Sequence, residues 1–522
     1  MWKIKSLLIN RSSKILLLLL VVTLIYANSL DRTPVHLNRD ELGFSLNAYS
    51  IAKTGFDENG RFLPLYFWHL GVMWATPVIV YLTALFLTIF PLSEITIRLP
   101  TVMVGLLNII LIYFLAKKVF DNEKLGLFAA LFLALTPVHF IQSRILLDNL
   151  FPIPFVLGWM IFLYLFFSRK NLWFLFFAAL LLGIGIHSYH ATKVIMPIYL
   201  ILTLIITFKL SKNKLTILIP LIAFILPLLP LIPWLSQYPD TLTDQVRYVG
   251  LYDTKLDPIS GIITLLKPEI ISQRLAVYLK YFDPTFLFFK GDSSLIHSTG
   301  RVGVFLLSFA VLLPVGLYQA FKNRNWFNLL LIAGFFTAPI AAALVGNEYR
   351  ASKELFILPF AALLATLAVK FLLNTGRQKW RILCLFLMIS IFVQFTYFLY
   401  DYFNGYRARS YTWFDYDILG ALQIVLDENS KKPADFFYFD SKIYYYTDRY
   451  WRFLLIERNR EDLVAKTFYF DPLYLQNFQH DSLSVYRFDH TVNQSLQSSS
   501  SRLIRNILEP DGFPSFYIYR TE

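Results

Sequence analysis

Residues 15–41 read ILLLLLVVTLIYANSLDRTPVHLNRDE, an apolar run followed by a polar loop that ends on two adjacent carboxylates. Asn38 is a favoured residue at the start of a helix, which places Asp40 and Glu41 in the first helical turn. The positive end of the helix dipole keeps carboxylates ionised at that position. The loop therefore predicts either a capped structural helix or a site for a general base or a metal ligand.

The rest of the chain alternates long apolar runs with short polar loops. Of its 522 residues, 56% are hydrophobic and 17% are aromatic, a larger apolar share than soluble domains use. Each run is near the roughly 17–25 residues that cross a bilayer as a helix. The runs cover residues 15–29, 68–90, 99–116, 125–140, 151–168, 172–187, 194–208, 215–236, 302–320, 326–346, 354–373 and 382–400. The sequence thus predicts a polytopic α-helical membrane protein.

The basic residues predict how the chain crosses the membrane. Clusters of Lys and Arg stand at the ends of the apolar runs, and such clusters favour the cytoplasmic side. All of them lie on one side only if segment 68–90 does not cross, so we expect about 11 transmembrane helices. Segment 68–90 is then an interfacial helix, with Trp68 and Trp74 at the membrane surface. The N-terminus is expected in the cytoplasm. The long loops are expected on the extracytoplasmic side of the plasma membrane.

Charge distribution and cysteine content argue against a nucleic-acid partner and against an intrachain disulfide. The formal net charge of +13 would suit a nucleic-acid partner, but the cations flank apolar runs rather than forming a single patch. We therefore expect membrane lipids and no nucleic acid as partners. The single cysteine, Cys384, excludes an intrachain disulfide.

The polar segments divide the chain into two predicted domains. Residues 1–400 form a transmembrane module with outer loops at 30–97 and 237–301, and residues 401–522 form a small extracytoplasmic α/β domain. In this tail, residues 415–428 carry apolar side chains at helical spacing. Runs rich in Phe and Tyr predict strands at 435–439, 467–470, 484–488 and 515–519.

Outward-facing charges at helix ends form the candidate site. Charged residues at a membrane edge are costly unless they have a partner or a function. Arg144 and Asp148 stand one helical turn apart, so an ion pair of their own is the structural alternative. His187 and His190 would share a helical face, which is a weak metal signal. Together with the loop carboxylates, these residues indicate a site that binds an anionic group.

Taken together, the motifs resemble the GT-C superfamily of membrane glycosyltransferases. The likeness is to the bacterial branch related to protein O-mannosyltransferases and aminoarabinose (lipid A) transferases. The matching motifs are Asp40-Glu41, Arg98-Leu99-Pro100, Ser143-Arg144 with Asp148, the junction from His187 to Lys193, Gly291-Asp292 with His297, and Pro510-Asp511-Gly512. The resemblance implies a sugar donor linked to polyprenyl phosphate.

The resemblance also implies a reaction and a set of residue roles. The expected reaction is inverting transfer of a hexosyl or pentosyl group to an acceptor hydroxyl, with Asp40 as general base. The catalytic group is expected to comprise Asp40, Glu41 and Asp148. The donor phosphate is assigned to Arg98, Arg144, Lys193 and Arg350. Substrate contacts are assigned to Tyr49, His187, Tyr189, His190, Asp292 and His297.

The sequence does not define the acceptor or the cofactor. Residues 62–70 read FLPLYFWHL and lack the His-Pro-Pro-Leu pattern of protein O-mannosyltransferases, so the acceptor is a lipid, a glycan or a protein. No cofactor is assigned, and a divalent cation near Asp40 and Asp148 is the alternative.

Two other functions also place charges at a membrane edge. One is a transporter or flippase of a lipid-linked or anionic solute, although the sequence lacks the internal repeat that many transporters have. The other is a sugar-binding scaffold without catalysis.

Overall fold

The computed structural model describes residues 2–210, 213–346, 348–440, 446–470, 481–488 and 501–521. The helices are α1 (Trp2–Tyr26), α2 (Arg39–Thr54), α3 (Pro77–Leu87), α4 (Glu94–Phe120), α5 (Glu123–Ala134), α6 (Pro137–Gln142), α7 (Ile153–Arg169), α8 (Leu172–Gly185), α9 (Thr192–Leu210), α10 (Leu215–Ile225), α11 (Leu231–Gln237), α12 (Thr241–Val249), α13 (Pro258–Leu265), α14 (Pro268–Lys280), α15 (Phe309–Lys322), α16 (Trp326–Thr337), α17 (Ile340–Val345), α18 (Ile357–Asn374), α19 (Gln378–Phe403), α20 (Gly405–Ser410), α21 (Ile418–Lys431) and α22 (Thr447–Glu457). The strands are β1 (Phe67–His69), β2 (Met73–Ala75), β3 (Phe436–Asp440), β4 (Thr467–Phe470), β5 (Ser482–Arg487), β6 (Ser501–Leu508) and β7 (Pro514–Thr521).

The chain divides into two compact units. The first comprises residues 1–28, 61–82 and 98–399, and the second comprises residues 29–60, 83–97 and 400–522.

Long apolar helices confirm the expected polytopic membrane protein. In the described residues, 7 helical segments are long and apolar enough to cross a membrane. They are Glu94–Phe120, Asp148–Arg169, Thr192–Leu210, Leu215–Gln237, Trp326–Val345, Ile357–Asn374 and Gln378–Phe403. Shorter apolar helices cover Lys14–Tyr26, Pro77–Leu87, Leu172–Gly185 and Phe309–Lys322.

Proline interrupts several of the predicted runs. The run over 125–140 is broken between α5 and α6, where Pro137 starts the second helix. Pro339 likewise lies between α16 and α17. Proline has no backbone N–H to donate and clashes with the preceding turn, so a helix ends or bends there. At these breaks the backbone is not helical, although the apolar sequence runs on without interruption and predicts a single helix.

The expected interfacial helix over 68–90 is wrong for its first part. Strands β1 and β2 form an antiparallel hairpin in which Trp68 pairs with Trp74, and the two ring centroids are 5.2 Å apart. Aromatic pairs of this kind stabilise strands rather than helices. Helix α3 begins only at Pro77 and has 11 residues. Its length is about 16 Å, well short of the roughly 30 Å of the bilayer core.

Two predicted helical pairs are also wrong. Residues 143–147, between Arg144 and Asp148, are not helical, so these side chains do not share a helix face. His187 and His190 lie in the turn between α8 and α9. In this turn the hydroxyl groups of Ser188 and of Thr192, at the start of α9, donate to nearby backbone carbonyls, which competes with continuation of the helix.

The second unit contains the expected C-terminal α/β fold. Among its described residues, five strands are ordered β4-β3-β5-β7-β6, with β3 parallel to β4 and β5 and with β7 antiparallel to β5 and β6. Trp451 of α22 packs against Phe437 and Phe439 of β3, with centroid distances of 5.6 and 5.0 Å. Strand β6 was not predicted. It is a largely exposed edge strand and lacks the alternation of apolar and polar residues on which the prediction rests.

The first polar loop packs within this second unit, whereas the sequence assigns it to the transmembrane module. The Arg39 side chain binds Asp415, with Nη2 and Oδ1 2.5 Å apart. Glu58 binds Arg449 and Arg452 at 2.7 and 2.8 Å. These partners are hundreds of residues apart in sequence, so no local pattern indicates their contact.

Candidate functional site

A cavity of about 400 Å³ in the first unit lies beside the turn between α8 and α9. Its wall is largely apolar, and many of the apolar residues come from α12 and α17. The ionisable residues His190, Lys193 and Lys353 also line it. An apolar wall that carries cationic side chains is chemically suited to an anionic amphiphile.

Lys193, in the first turn of α9, is held by a chain of hydrogen bonds. Its Nζ donates to Oε1 of Gln245, and Nε2 of Gln245 donates to the carbonyl oxygen of Trp74 at 3.1 Å. Nζ also lies 5.5 Å from the ring centroid of Tyr66, a cation–π distance. The hairpin, α9 and α12 therefore position this ammonium group jointly.

Asp148 starts a short 3₁₀ turn, Asp148–Leu150, immediately before α7. Its carboxylate is buried and accepts a hydrogen bond of 2.9 Å from the hydroxyl of Thr76, the residue before α3. The Thr76 hydroxyl also lies 3.3 Å from the carbonyl oxygen of Ser188. One threonine thus joins the hairpin, the α7 entrance and the α8–α9 turn.

His190 presents buried polar atoms at the cavity. Neither ring nitrogen has a hydrogen-bond partner within the described part of the chain, and both are shielded from solvent. Burial lowers the pKa of His190 well below its ordinary value, and the charges of Lys193, His69 and Lys353 lower it further. The neutral ring offers a ligand one donor and one acceptor.

Lys353 and Glu354 precede α18. Burial lowers the pKa of Lys353 to about 8, with the charge of Arg350 acting in the same direction. Burial raises the pKa of Glu354 well above its ordinary range, and the nearby carboxylate of Asp292 adds to this shift. Neither carboxyl oxygen of Glu354 has a hydrogen-bond partner within the ranges described.

His187 and Tyr189 differ in their surroundings. His187 has partners for both ring nitrogens, since Nε2 lies 3.0 Å from the Pro227 carbonyl and Nδ1 3.4 Å from the Tyr66 hydroxyl. The carbonyl can only accept, so Nε2 carries the proton. Burial lowers the pKa of His187 and raises that of Tyr189. Tyr189 lines the cavity, whereas His187 fastens the turn to neighbouring segments.

Asp292 and His297 hold a loop in place. Asp292 accepts a hydrogen bond of 2.5 Å from the backbone N–H of Ala351, and Nη1 of Arg350 lies 3.7 Å from its other oxygen. Burial raises the pKa of Asp292. Nδ1 of His297 lies 2.7 Å from Nε2 of Gln142. The first contact ties the loop to the segment that carries Lys353.

Arg144 and Arg98 are fully buried. The Arg144 guanidinium donates to the carbonyl oxygens of Tyr26 at 2.6 Å and Asn28 at 2.7 Å, where α1 ends. A cation at this end stabilises the helix through its dipole and its unpaired carbonyls. Arg144 therefore caps α1. Arg98 lies in the second turn of α4 and does not line the cavity.

Asp40, Glu41 and Tyr49 lie on α2 in the second unit. Asn38 caps the helix as predicted, accepting from the Asp40 N–H at 2.9 Å, and the Glu41 carboxylate accepts from the Asn38 N–H at 3.1 Å. The Asn38 side chain also accepts from the backbone N–H of Glu41, which completes a capping box. Glu41 is fully buried in it, whereas Asp40 is only partly buried. Tyr49 is also half-exposed, and Nζ of Lys53 lies 5.6 Å from its ring centroid.

Sequence reasoning did not assign Thr76, Gln245 or Glu354 to the site. Lys353 is one of the outward-facing cations at predicted helix ends, but sequence reasoning assigned it no individual role. Thr76 and Gln245 carried no signal, since ordinary polar residues acquire their role only through a partner distant in sequence. For metals, no group of three or more His, Cys, Asp or Glu side chains able to hold an ion occurs in the part of the chain that the structure describes.

Comparisons with known proteins agree with this architecture. The family described as Dolichyl-phosphate-mannose-protein mannosyltransferase matches residues 75–235. No curated protein matches the sequence. The structure of ArnT from Cupriavidus metallidurans bound to undecaprenyl phosphate is similar, with a TM-score of 0.58, 12% identity and 98% of each chain covered. The apo state of the same protein gives a TM-score of 0.56 and 11% identity, again with 98% of each chain covered. The structural similarity confirms an ArnT-like fold, and the family match over residues 75–235 agrees with the predicted resemblance.

Proposed function

We propose that this protein is a membrane glycosyltransferase that takes a sugar from a polyprenyl-phosphate donor. The observation that carries the proposal is the cavity of the first unit, where an apolar wall meets the ammonium groups of Lys193 and Lys353. A polyprenyl phosphate is an anionic amphiphile whose chain suits such a wall and whose phosphate suits such cations. The ArnT-like fold supports the proposal, since that relative binds undecaprenyl phosphate.

The proposed reaction is a single displacement at the anomeric carbon. The acceptor hydroxyl oxygen forms a bond to that carbon while its proton passes to a carboxylate, for which we propose Asp40. The bond between the anomeric carbon and the phosphate oxygen breaks on the opposite face, so polyprenyl phosphate leaves and the configuration inverts. Asp40 suits the role because its side chain is partly exposed, whereas the buried Glu41 carboxylate accepts the Asn38 N–H in the helix cap.

The cavity cations have a defined role in this scheme. Charge grows on the phosphate as the bond breaks, and positioned cations stabilise it in a site that excludes water. We assign this role to Lys193 and Lys353, with the neutral ring of His190 donating one hydrogen bond. Arg350 lies one short turn from Lys353 and is a further candidate, whereas Arg144 is already bound to α1. We further propose that the site faces away from the cytoplasm, because the basic loops lie at the other helix ends.

A transfer assay tests the proposal. Purified full-length protein would be incubated with radiolabelled undecaprenyl-phosphate sugars and with lipid, glycan or peptide acceptors. We expect labelled acceptor, and we expect Lys193→Met and Lys353→Met each to weaken donor binding about tenfold. Lys379→Met, at an exposed lysine outside the cavity, is the matched control. If the donor crossed the membrane of vesicles that contain the protein and no acceptor were labelled, the protein would instead be a flippase. Donor binding with neither crossing nor labelling would favour a scaffold.

A further inference from the structure

A second cavity, of about 600 Å³, lies in the first unit and plays no part in the proposed reaction. Its lining includes Phe120 at the end of α4, Tyr164 near the end of α7, Gln319 near the end of α15, Trp326 at the start of α16 and Lys370 near the end of α18. The candidate donor site lies at the opposite ends of two of these helices, since Asp148 precedes α7 and Lys353 precedes α18. Helix α18 alone has 18 residues and is about 27 Å long.

The position of this cavity corresponds to one membrane surface. Basic clusters at 117–124, 322–324 and 377–381 flank it in sequence, which marks this end as the cytoplasmic side. Aromatic residues also gather here, with Tyr164 and Trp326 ring centroids 6.3 Å apart. Trp and Tyr concentrate at the depth of lipid head groups. The cavity is therefore placed where a lipid head group would lie.

The polar lining has a specific composition. Nε2 of Gln319 is buried without a hydrogen-bond partner among the described residues, and the Gln319 side chain lines the cavity. Lys370 contributes an ammonium group whose Nζ lies 5.4 Å from the ring centroid of Phe120. Among the described lining residues there is no carboxylate. Further amides and a hydroxyl come from Asn323, Asn374 and Thr375.

A buried amide N–H without an acceptor costs free energy, and a ligand oxygen would remove that cost. A cation in a carboxylate-free cavity favours an anion, and several amides favour hydroxyl groups. Basic pockets between transmembrane helices on the cytoplasmic side are suited to anionic lipid head groups. A phosphodiester that carries free hydroxyls combines these properties.

We propose that this second cavity binds the head group of an anionic lipid of the cytoplasmic leaflet, a phosphodiester with free hydroxyls. Its phosphate lies against Lys370, and a phosphate or hydroxyl oxygen accepts from Nε2 of Gln319. A soluble diester such as glycerophosphoglycerol presents the same chemistry, so the test includes both sources.

Lipid retention in native mass spectrometry tests the proposal. Full-length protein would be exchanged from nanodiscs of phosphatidylcholine, with or without phosphatidylglycerol, into a neutral detergent. We expect selective retention of phosphatidylglycerol, reduced about tenfold by Lys370→Met because a charge-assisted hydrogen bond is lost. Gln319→Leu, which keeps the size of the side chain, should reduce retention severalfold. Lys379→Met, at an exposed lysine near the same end, should retain lipid like the wild type.

Two controls are needed. One distinguishes a loss of binding from a loss of folding, and the other distinguishes the intact lipid from its soluble head group as the ligand. The unfolding midpoint in lipid-free detergent shows which variants fold. If Lys370→Met does not fold, the retention measured for Gln319→Leu tests the proposal instead. Displacement of the lipid by glycerophosphoglycerol would support recognition of the head group alone, and failure of displacement would support recognition of the intact lipid. Equal retention of both lipids by the wild type, or unchanged retention in folded Lys370→Met and Gln319→Leu proteins, would overturn the proposal.

Discussion

The hydroxyl of Thr76 donates a 2.9 Å hydrogen bond to Oδ2 of Asp148, although the two residues are 72 positions apart. Asp148 is buried, so the loss of this donor leaves a carboxylate oxygen poorly solvated. Thr76→Val keeps the shape and removes the hydroxyl, and we expect a loss of about 1–3 kcal/mol in unfolding free energy. Thermal unfolding of the purified protein measures it. Thr76→Ser should retain most of the stability, and equal destabilisation by Ser and Val would show that the bond is unimportant.

Asp40→Asn tests the proposed general base. Loss of proton transfer should lower kcat by about 100-fold or more while donor affinity stays near the wild-type value. Glu41→Gln is the neighbouring comparison, because glutamine also forms a capping box and should keep α2 folded. We expect Glu41→Gln to retain far more transfer activity. Full activity of Asp40→Asn in the purified assay would exclude Asp40 as the base.

Arg144→Leu should act on stability rather than on donor binding. The guanidinium donates to the Tyr26 and Asn28 carbonyls, and leucine removes both hydrogen bonds. We expect a lower unfolding midpoint, with a penalty of about 1–3 kcal/mol for each charged hydrogen bond removed. Donor titration of the folded fraction should give an affinity close to that of the wild type. An affinity loss without a change in midpoint would instead return Arg144 to the donor site.

Donor affinity should depend on pH through Lys353. Its pKa is lowered to about 8, so the ammonium group is present below that pH and is lost as the pH rises through it. An anionic donor binds the charged form, and we therefore expect weaker binding above about pH 8. Lys353→Arg stays charged over this range, and its decline should move to higher pH. Donor titrations at a series of pH values measure the effect, and identical profiles for both proteins would contradict it.

Transfer should continue after divalent cations are removed. Two lysines line the cavity proposed for the phosphate, and positioned cations can stabilise the charge that grows on it without a metal ion. Activity in excess EDTA should therefore equal that in buffer alone. Loss of activity that Mg²⁺, Mn²⁺ or Zn²⁺ restores would instead establish metal-dependent catalysis.

Much of the architecture follows from local sequence. The apolar runs are visible because a bilayer requires about 17–25 consecutive apolar residues. The N-terminal cap of α2 and the helix over 418–431 are visible because capping and helical periodicity involve neighbouring residues. The candidate cations were visible because charge at a membrane edge is unusual.

The roles of individual side chains needed the tertiary structure. Arg144 resembles a phosphate ligand in sequence, but its partner carbonyl at Tyr26 lies 118 positions away. Thr76 and Gln245 carry no local signal, and each gains its role from a residue in another segment. The sequence by itself determined the membrane class, the capped α2 and the strand segments β3, β4, β5 and β7, since each depends on residues close in the chain. Only packing decided which cations line the cavity proposed for the donor and which close a helix end, because hydrogen-bond partners are chosen by distance in space.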